Sequence, residues 1–372
     1  MGKATLGIER LHSLEISVFD SAPWVAHLTD GFGFQHLAKS TGAAEEAGGT
    51  RRSWLRCGDV GVFLNEPAYP GSPVRRYLER HPEGIARVNF LVQDIEATEA
   101  QLLERNAAAT DFIRSEDTPA GPWRTLAIAT PLGDVEFAFI QTPDAADALP
   151  PGMERLDTLD AAYNPLGLAG IDHLTANART LMPMLAFYEH VMGFSRCWNV
   201  QFHTEDFRPG VGSGLKAVAM EDAASGIRMV TNEPLRPRFA ESQVQLHVDT
   251  NRGPGIQHVA LAVADMSKAT GHCRSNGVSF MPTPKAYYQA LPGRLGAQGV
   301  PSLSLSIEEI ERLGVLVDGD KSGYLLQAFC QDQAVQFRRP NAGPIFFELV
   351  QRCGSQRFGE GNFRALFEAM QR

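Results

Sequence analysis

The chain has 372 residues, 44% hydrophobic and 21% charged, with 34 basic against 43 acidic side chains and a formal charge of −9. That is an ordinary globular composition, long enough for two domains that bury their cores without disulfide staples, and an acidic chain with no Lys/Arg block lacks the footprint of nucleic-acid binding. With no apolar run of 18 residues, an N-terminus carrying Lys3, Glu9 and Arg10, and five scattered cysteines without a CxxC pair, neither membrane span, signal peptide nor structural zinc is expected, and reduced thiols point to the cytoplasm.

In chain order, the pattern predicts a strand at 11–18 and a helix from about Ala22 to Gly33-Phe34. The motif Asn65-Glu66-Pro67 follows, then a strand at 84–92, a helix over 95–105 and a strand ending at Gln141. Pro150, Pro151 and Gly152 mark a linker. The series then recurs: a strand at 170–176, a helix from about Met182 to Gly193-Phe194, Asn232-Glu233-Pro234, a strand at 255–263, a helix over 266–275 and a strand ending at Gln351. Two copies of one α+β module, in residues 1–150 and 151–372, account for this. The segment 285–323 has no counterpart in the first copy; 306–313 within it has helical character, and it reads as an inserted cover. Asn-Glu-Pro, present in both copies, reads as a turn motif.

An internal repeat lets one copy serve as control for the other. A residue common to both belongs to the fold, whereas a chemically potent residue in one copy alone points to function. Offsets of 160, 171 and 210 align Ser13 with His173, Arg87 with His258, and Ala138 with Glu348. Two imidazoles and a carboxylate are the facial ligand set of a mononuclear non-heme ferrous site. Zinc hydrolases also use two histidines and a glutamate, but on a His-Glu-x-x-His helix that does not occur here. A lone histidine on a strand is commonly a core residue. Glu348 is different, because in the run Ile345-Phe346-Phe347-Glu348-Leu349-Val350 an unpaired carboxylate is costly and requires a partner.

Over 170–372 the sequence resembles the 4-hydroxyphenylpyruvate dioxygenases of the vicinal oxygen chelate superfamily. The matching motifs are Gly170-Ile171-Asp172-His173, Asn232-Glu233-Pro234, Ser242-Gln243-Val244-Gln245, Gly253-Pro254-Gly255-Ile256-Gln257-His258, Pro282-Thr283-Pro284 with Tyr287-Tyr288, Gly323-Tyr324-Leu325-Leu326-Gln327, Phe346-Phe347-Glu348 through Gln351-Arg352, and Phe358-Gly359-Glu360-Gly361-Asn362-Phe363. The resemblance implies tandem βαβββ modules of an α+β fold, the first catalytically degenerate. In the second, Fe(II) is held by His173, His258 and Glu348, and a 2-oxo acid chelates it and is oxidatively decarboxylated with dioxygen. For 4-hydroxyphenylpyruvate, ring hydroxylation with side-chain migration gives homogentisate.

The resemblance also implies catalytic roles for Gln257, Gln327 and Phe363, and a substrate pocket lined by Asn232, Gln243, Phe329, Phe346, Phe358 and Asn362. Amides orient polar groups there, and phenylalanines exclude water and pack on a ring. Phe363 favours ring attack, since the related 4-hydroxymandelate synthases tend to carry an aliphatic residue there. Three residues depart from the family pattern: Ala217 stands in place of a serine, Val230 in place of a proline, and Arg357 in place of a glycine. Ala217 and Val230 fall at the aromatic end of the pocket, which leaves a different 2-oxo acid as an alternative substrate. A metal-free binding protein of the same fold is the alternative of another class, and the intact triad discriminates against it. The resemblance further implies a homodimer or homotetramer. Residues 358–372, with Phe363, Leu366, Phe367 and Met370 at helical spacing, are expected to form a lid.

Overall fold

Asp94 and Asp265 each stand two residues beyond a strand and cap a helix, their carboxylates accepting hydrogen bonds from the Ala97 and Lys268 amides, the N-cap geometry that satisfies an orphan donor of the first turn. Such paired devices recur throughout the computed structural model, which describes residues 5–143, 148–158, 160, 163–203, 213–235 and 242–362. The first module contains β1 (Ile8–Ser17), α1 (Ala22–Ala26), β2 (Gln35–Ser40), α2 (Gly42–Gly48), β3 (Thr50–Cys57), β4 (Val60–Pro67), α3 (Pro73–Arg80), β5 (Gly84–Val92), α4 (Ile95–Glu104), β6 (Ala109–Thr118), β7 (Gly121–Ala129) and β8 (Glu136–Gln141). After β9 (Met153–Arg155) the second module contains β10 (Leu168–Asn177), α5 (Met182–Phe187), β11 (Ser195–His203), β12 (Gly214–Glu221), β13 (Arg228–Pro234), α6 (Gln243–Thr250), β14 (Gly255–Val263), α7 (Met266–Ser275), α8 (Lys285–Gln298), α9 (Ile307–Leu313), β15 (Leu316–Asp320), β16 (Gly323–Phe329) and β17 (Phe346–Cys353).

The two sheets have one topology. The first runs β2-β3-β4-β1-β5-β8-β7-β6 with β9 beyond β2, and the second runs β11-β12-β13-β10-β14-β17-β16-β15. In each, the opening strand is parallel to one neighbour and antiparallel to the other, β1 between β4 and β5, β10 between β13 and β14. This is the tandem α+β architecture expected from the repeat. One apolar core runs through both modules: Phe137 packs edge-on to Phe187 at 5.7 Å, and Phe32 lies 5.0 Å from Phe347. No helix of the described residues is long and apolar enough to cross a membrane.

Four expectations are corrected. The segment 285–323 is not wholly an insertion, because its end is β15, the edge strand that corresponds to β6; only α8 and α9 are additional. α8 packs on α9 and on β15, and a Ser306–Glu309 capping box starts α9. The helices after the opening strands do not run uniformly to the Gly-Phe pairs; each passes into a wider π-helical turn, His27–Gly31 and Tyr188–Met192. The linker does not simply separate the modules, since β9 pairs with β2. Asn-Glu-Pro is not a turn but the end of β4 and of β13. Its glutamate recurs for a structural reason: Glu66 accepts from the Ser21 amide at 2.6 Å and Glu233 from the Leu181 amide at 2.8 Å, at the entry to α1 and α5.

Candidate metal centre

Strand register brings the three potential ligands together. Ala260 on β14 lies opposite His173 on β10 and opposite Glu348 on β17, and His258, two residues earlier, shares its face because side chains alternate along a strand. In the first module Asn89 lies opposite both Ser13 and Ala138, so the observed pairing reproduces the equivalences read from the repeat.

The Nε2 atoms of His173 and His258 stand 3.5 and 3.3 Å from Glu348 Oε2, and one ligand atom from each residue lies within 4.8 Å of the others. All three side chains are buried. The other ring nitrogens are engaged, His173 Nδ1 with Asp172 Oδ1 at 2.8 Å and His258 Nδ1 with Gln257 Oε1 at 3.0 Å, which presents both Nε2 lone pairs to the centre. Burial lowers the His258 pKa, with Glu348 opposing, a direction that favours the neutral ring a metal ligand requires. The donor set therefore fits a divalent cation of the facial-triad kind, whose positive charge would offset the cost of burying Glu348.

A second set of residues fixes these ligands. Burial raises the Asp172 pKa, but the His173 hydrogen bond and Arg352 overcome this and hold it well below the usual carboxylate range. Arg352 grips Asp172 through Nε at 2.6 Å and Nη2 at 2.8 Å. Glu348 Oε1 accepts from Gln327 Nε2 at 2.7 Å, and Gln327 Oε1 accepts from Asn362 Nδ2 at 2.8 Å. Replacing Asp172 by alanine should strand the Arg352 guanidinium, costing about 3–5 kcal/mol of stability. It should also weaken metal binding about 10- to 100-fold by releasing the His173 ring; urea unfolding and metal titration check the two effects separately.

Aromatic rings surround the imidazoles. Phe346 stacks on His258 at 4.9 Å, Phe329 meets the same ring at 6.3 Å, and Phe358 meets His173 edge-on at 5.4 Å. Ala217 and Val230 share a small apolar cluster with Phe358, against which Trp198 packs. Asn232, directly across from Ala217, donates to Asn177 Oδ1 at 3.0 Å. Gln327 and Asn362 act on Glu348 from behind, and Gln257 stands beside His258. Gln243 lies apart from the triad, exposed on the first turn of α6. Phe363 and the expected lid helix beyond it lie outside the described residues. Arg357 pairs with Asp318, Asp320 and Glu360.

Sequence reasoning gave no role to Asp172, Arg352, Tyr287 or Arg294. Asp172 escapes the same control, because the offset of 160 sets it against His12, itself a titratable residue. Tyr287 and Arg294 belong to α8, which has no counterpart to compare.

The first module shows what replaces a metal site. Arg87, at the place of His258, pairs with Glu136, and Asn89 bridges Ser13 Oγ at 2.9 Å and Glu15 at 3.2 Å. Burial acts to raise the Glu15 pKa, but Arg52, Arg87 and two amides overcome it and the net direction is downward. A fixed guanidinium supplies positive charge there, and among the described residues no comparable ligand set converges.

Comparison with known proteins agrees with this asymmetry. Residues 170–291 match the Glyoxalase/Bleomycin resistance protein/Dioxygenase superfamily. A solved variant of 4-hydroxymandelate synthase from Streptomyces coelicolor superposes with a TM-score of 0.79 at 26% identity, covering 98% of each chain. The 4-hydroxyphenylpyruvate dioxygenase of Danio rerio is 30% identical over 97% of this chain and 89% of its own. That of Dictyostelium discoideum is 31% identical over 80% of this chain and 79% of its own. With the His-His-Glu site intact and likeness extending over both modules, the chain belongs to the 4-hydroxyphenylpyruvate dioxygenase family.

Proposed function

We propose that the protein is an Fe(II)-dependent dioxygenase that oxidatively decarboxylates 4-hydroxyphenylpyruvate to homogentisate. The observation that carries this reading is the convergence of His173, His258 and Glu348 in one module of a chain whose relatives bear that activity in their names. Ferrous iron held by these residues supplies the redox chemistry that couples dioxygen to loss of carbon dioxide from a 2-oxo acid, both oxygen atoms entering the organic product.

The chain's own residues supply orientation and dryness. Phe329, Phe346 and Phe358 present apolar surface around the imidazoles, excluding water from the neighbourhood of the reacting groups. The apolar cluster of Ala217, Val230 and Phe358 is the surface we assign to an aryl ring. Beside it the Asn232–Asn177 pair offers polar recognition, with Asn177 Nδ2 buried and lacking a hydrogen-bond partner, a donor suited to a substrate oxygen. Ala217 contributes no hydroxyl there, so the asparagines carry polar selection at that end.

Benzylic hydroxylation to 4-hydroxymandelate is the second reading, favoured by the likeness to the synthase over nearly the whole chain. Phe363 in the sequence favours ring attack. Chromatography of the product formed by iron-loaded protein from 4-hydroxyphenylpyruvate separates the readings. Homogentisate with one dioxygen consumed per carbon dioxide is expected, 4-hydroxymandelate establishes the second reading, and no turnover by a fully loaded enzyme moves the function to another 2-oxo acid.

A further inference from the structure

The hydrogen bonds behind Glu348 do not end at Gln327. They continue through Asn362 in the C-terminal segment to Tyr287 and Arg294 on α8, a helix absent from the first module. Tyr287, Asn362, Gln327 and Glu348 are all buried, so each donor and acceptor needs a partner within the protein.

The direction of the chain follows from chemistry at its two ends. A guanidinium and a backbone amide can only donate, and a carboxylate can only accept. Tyr287 Oη receives hydrogen bonds from Arg294 Nη2 at 2.7 Å and from the Val317 amide at 2.9 Å, which leaves its single proton to give. The nearest acceptor is Asn362 Oδ1 at 2.7 Å, which also receives Arg294 Nη2 at 3.3 Å; the Val317 carbonyl, which takes Arg294 Nη2 at 2.8 Å, is the more distant acceptor at 3.1 Å. Burial pushes the Tyr287 hydroxyl up, which keeps that proton in place. Asn362 must then present its oxygen to Tyr287 and its amide nitrogen to Gln327 Oε1, at 2.8 Å. Gln327 in turn must present Nε2 to Glu348 Oε1, at 2.7 Å.

We infer that Arg294 is a positioning residue for the metal ligand Glu348: by fixing the donor direction of the Tyr287–Asn362–Gln327 relay, it directs an N–H rather than a carbonyl at Oε1 and reserves Oε2 for the metal. Reversing the two amides would set a carbonyl dipole against the carboxylate and turn Glu348 away from the imidazoles. The C-terminal segment is thereby part of the metal site. Gly359, at a φ of +80°, passes so close that a methyl group on it would overlap the Gln327 amide, and the Gly361 amide donates to Asp318 Oδ2 at 3.1 Å.

The inference rests on the ferrous-site reading, and the test separates the two. Ferrous affinity is measured by chelator competition on the full chain, together with the thermal midpoint of the metal-free protein. Arg294→Met and Asn362→Asp are expected to bind ferrous ion about 10- to 100-fold more weakly, the range typical of outer partners of metal ligands, with Arg294→Lys, which still only donates, recovering part of the loss. The decisive comparison is Asn362→Asp against Asn362→Ala. The aspartate takes the Gln327 N–H for itself and turns the carbonyl towards Glu348, whereas the alanine leaves Gln327 free to keep its orientation. Weaker binding by Asn362→Asp than by Asn362→Ala supports the relay, and equal or reversed order overturns it. Wild-type affinity in a folded Arg294→Met protein also overturns it, and if that variant does not fold the asparagine pair decides alone. A wild-type protein that binds no ferrous ion refutes the metal reading itself.

Discussion

Glu348→Ala should bind no ferrous ion at stoichiometric concentration and turn over no 2-oxo acid, whereas Glu348→Gln, equally inactive, should unfold in its metal-free form at a urea concentration at or above that of wild type. The opposite signs follow from burial. Without a metal, Glu348 is a carboxylate 1% exposed, holding one N–H from Gln327 and facing two imidazoles. Removing buried charge at constant volume is often neutral or stabilising, by about 1–4 kcal/mol where a whole buried ion pair is replaced, and we take that as the ceiling for one carboxylate. The replacement's amide oxygen would still accept from Gln327. With ferrous ion at about 1,000 times its dissociation constant the order reverses, because binding then adds about 4.1 kcal/mol to the wild type alone. Urea titrations with and without ferrous ion check both halves. An iron-loaded, active Glu348→Ala protein refutes the ligand assignment, and a metal-free Glu348→Gln protein several kcal/mol below wild type refutes the account of the site as a destabilising charge awaiting its cation.

The triad was legible in the sequence because strand pairing conserves register. Once the two modules share a topology, a fixed offset keeps each residue opposite its equivalent, and the pairing of Ala260 with His173 and Glu348 repeats that of Asn89 with Ser13 and Ala138. The supports were less legible for three physical reasons. Asp172 acts through its neighbour His173 and through Arg352, 180 positions away, a contact that periodicity does not encode. Arg294 and Tyr287 stand on a helix with no control copy. Asn362 is legible through the family resemblance alone, because it lies in a single helical turn at 360–362, too short among the described residues for periodicity to place a side chain. The opposite error concerns β15. Without an obvious alternating pattern it merged with the helices before it, although its place in the second sheet is that of β6 in the first.

Acidification from pH 7 should unfold the metal-free protein well before its carboxylates protonate. Three histidines far from solvent are held neutral in the fold: burial lowers the pKa of His12 to about 3, with Arg10 and Arg56 adding to it, that of His27 to about 4, and that of His247 to about 3, with His258 adding to it. The environments explain this. His27 lies among Phe32, Phe337 and Phe347 with Nε2 unpartnered, and neither ring nitrogen of His247 has a partner. His12 stacks on Trp54 at 5.8 Å. For a histidine whose folded pKa is depressed, the unfolded chain binds the additional proton, so stability is full above the ordinary value of about 6.5 and falls as pH drops towards the folded value. Each group contributes a slope of about 1.4 kcal/mol per pH unit, and the three together about 4 kcal/mol per unit near pH 5. Glu83 and Asp318, whose carboxyls burial pushes up, bind protons in the folded state and offset part of the loss. The depressed carboxylates Glu15 and Asp172 act in a separate window, at and below the ordinary carboxylate range. Urea unfolding at pH 7 and pH 5 should therefore differ by several kcal/mol, and His27→Leu, which removes one titrating group from an aromatic pocket, should flatten the dependence by about 1.4 kcal/mol per unit. Equal unfolding free energies at the two pH values would show that these rings accept protons inside the fold, and that their surroundings are wetter than the packing of Phe32, Phe337 and Phe347 implies.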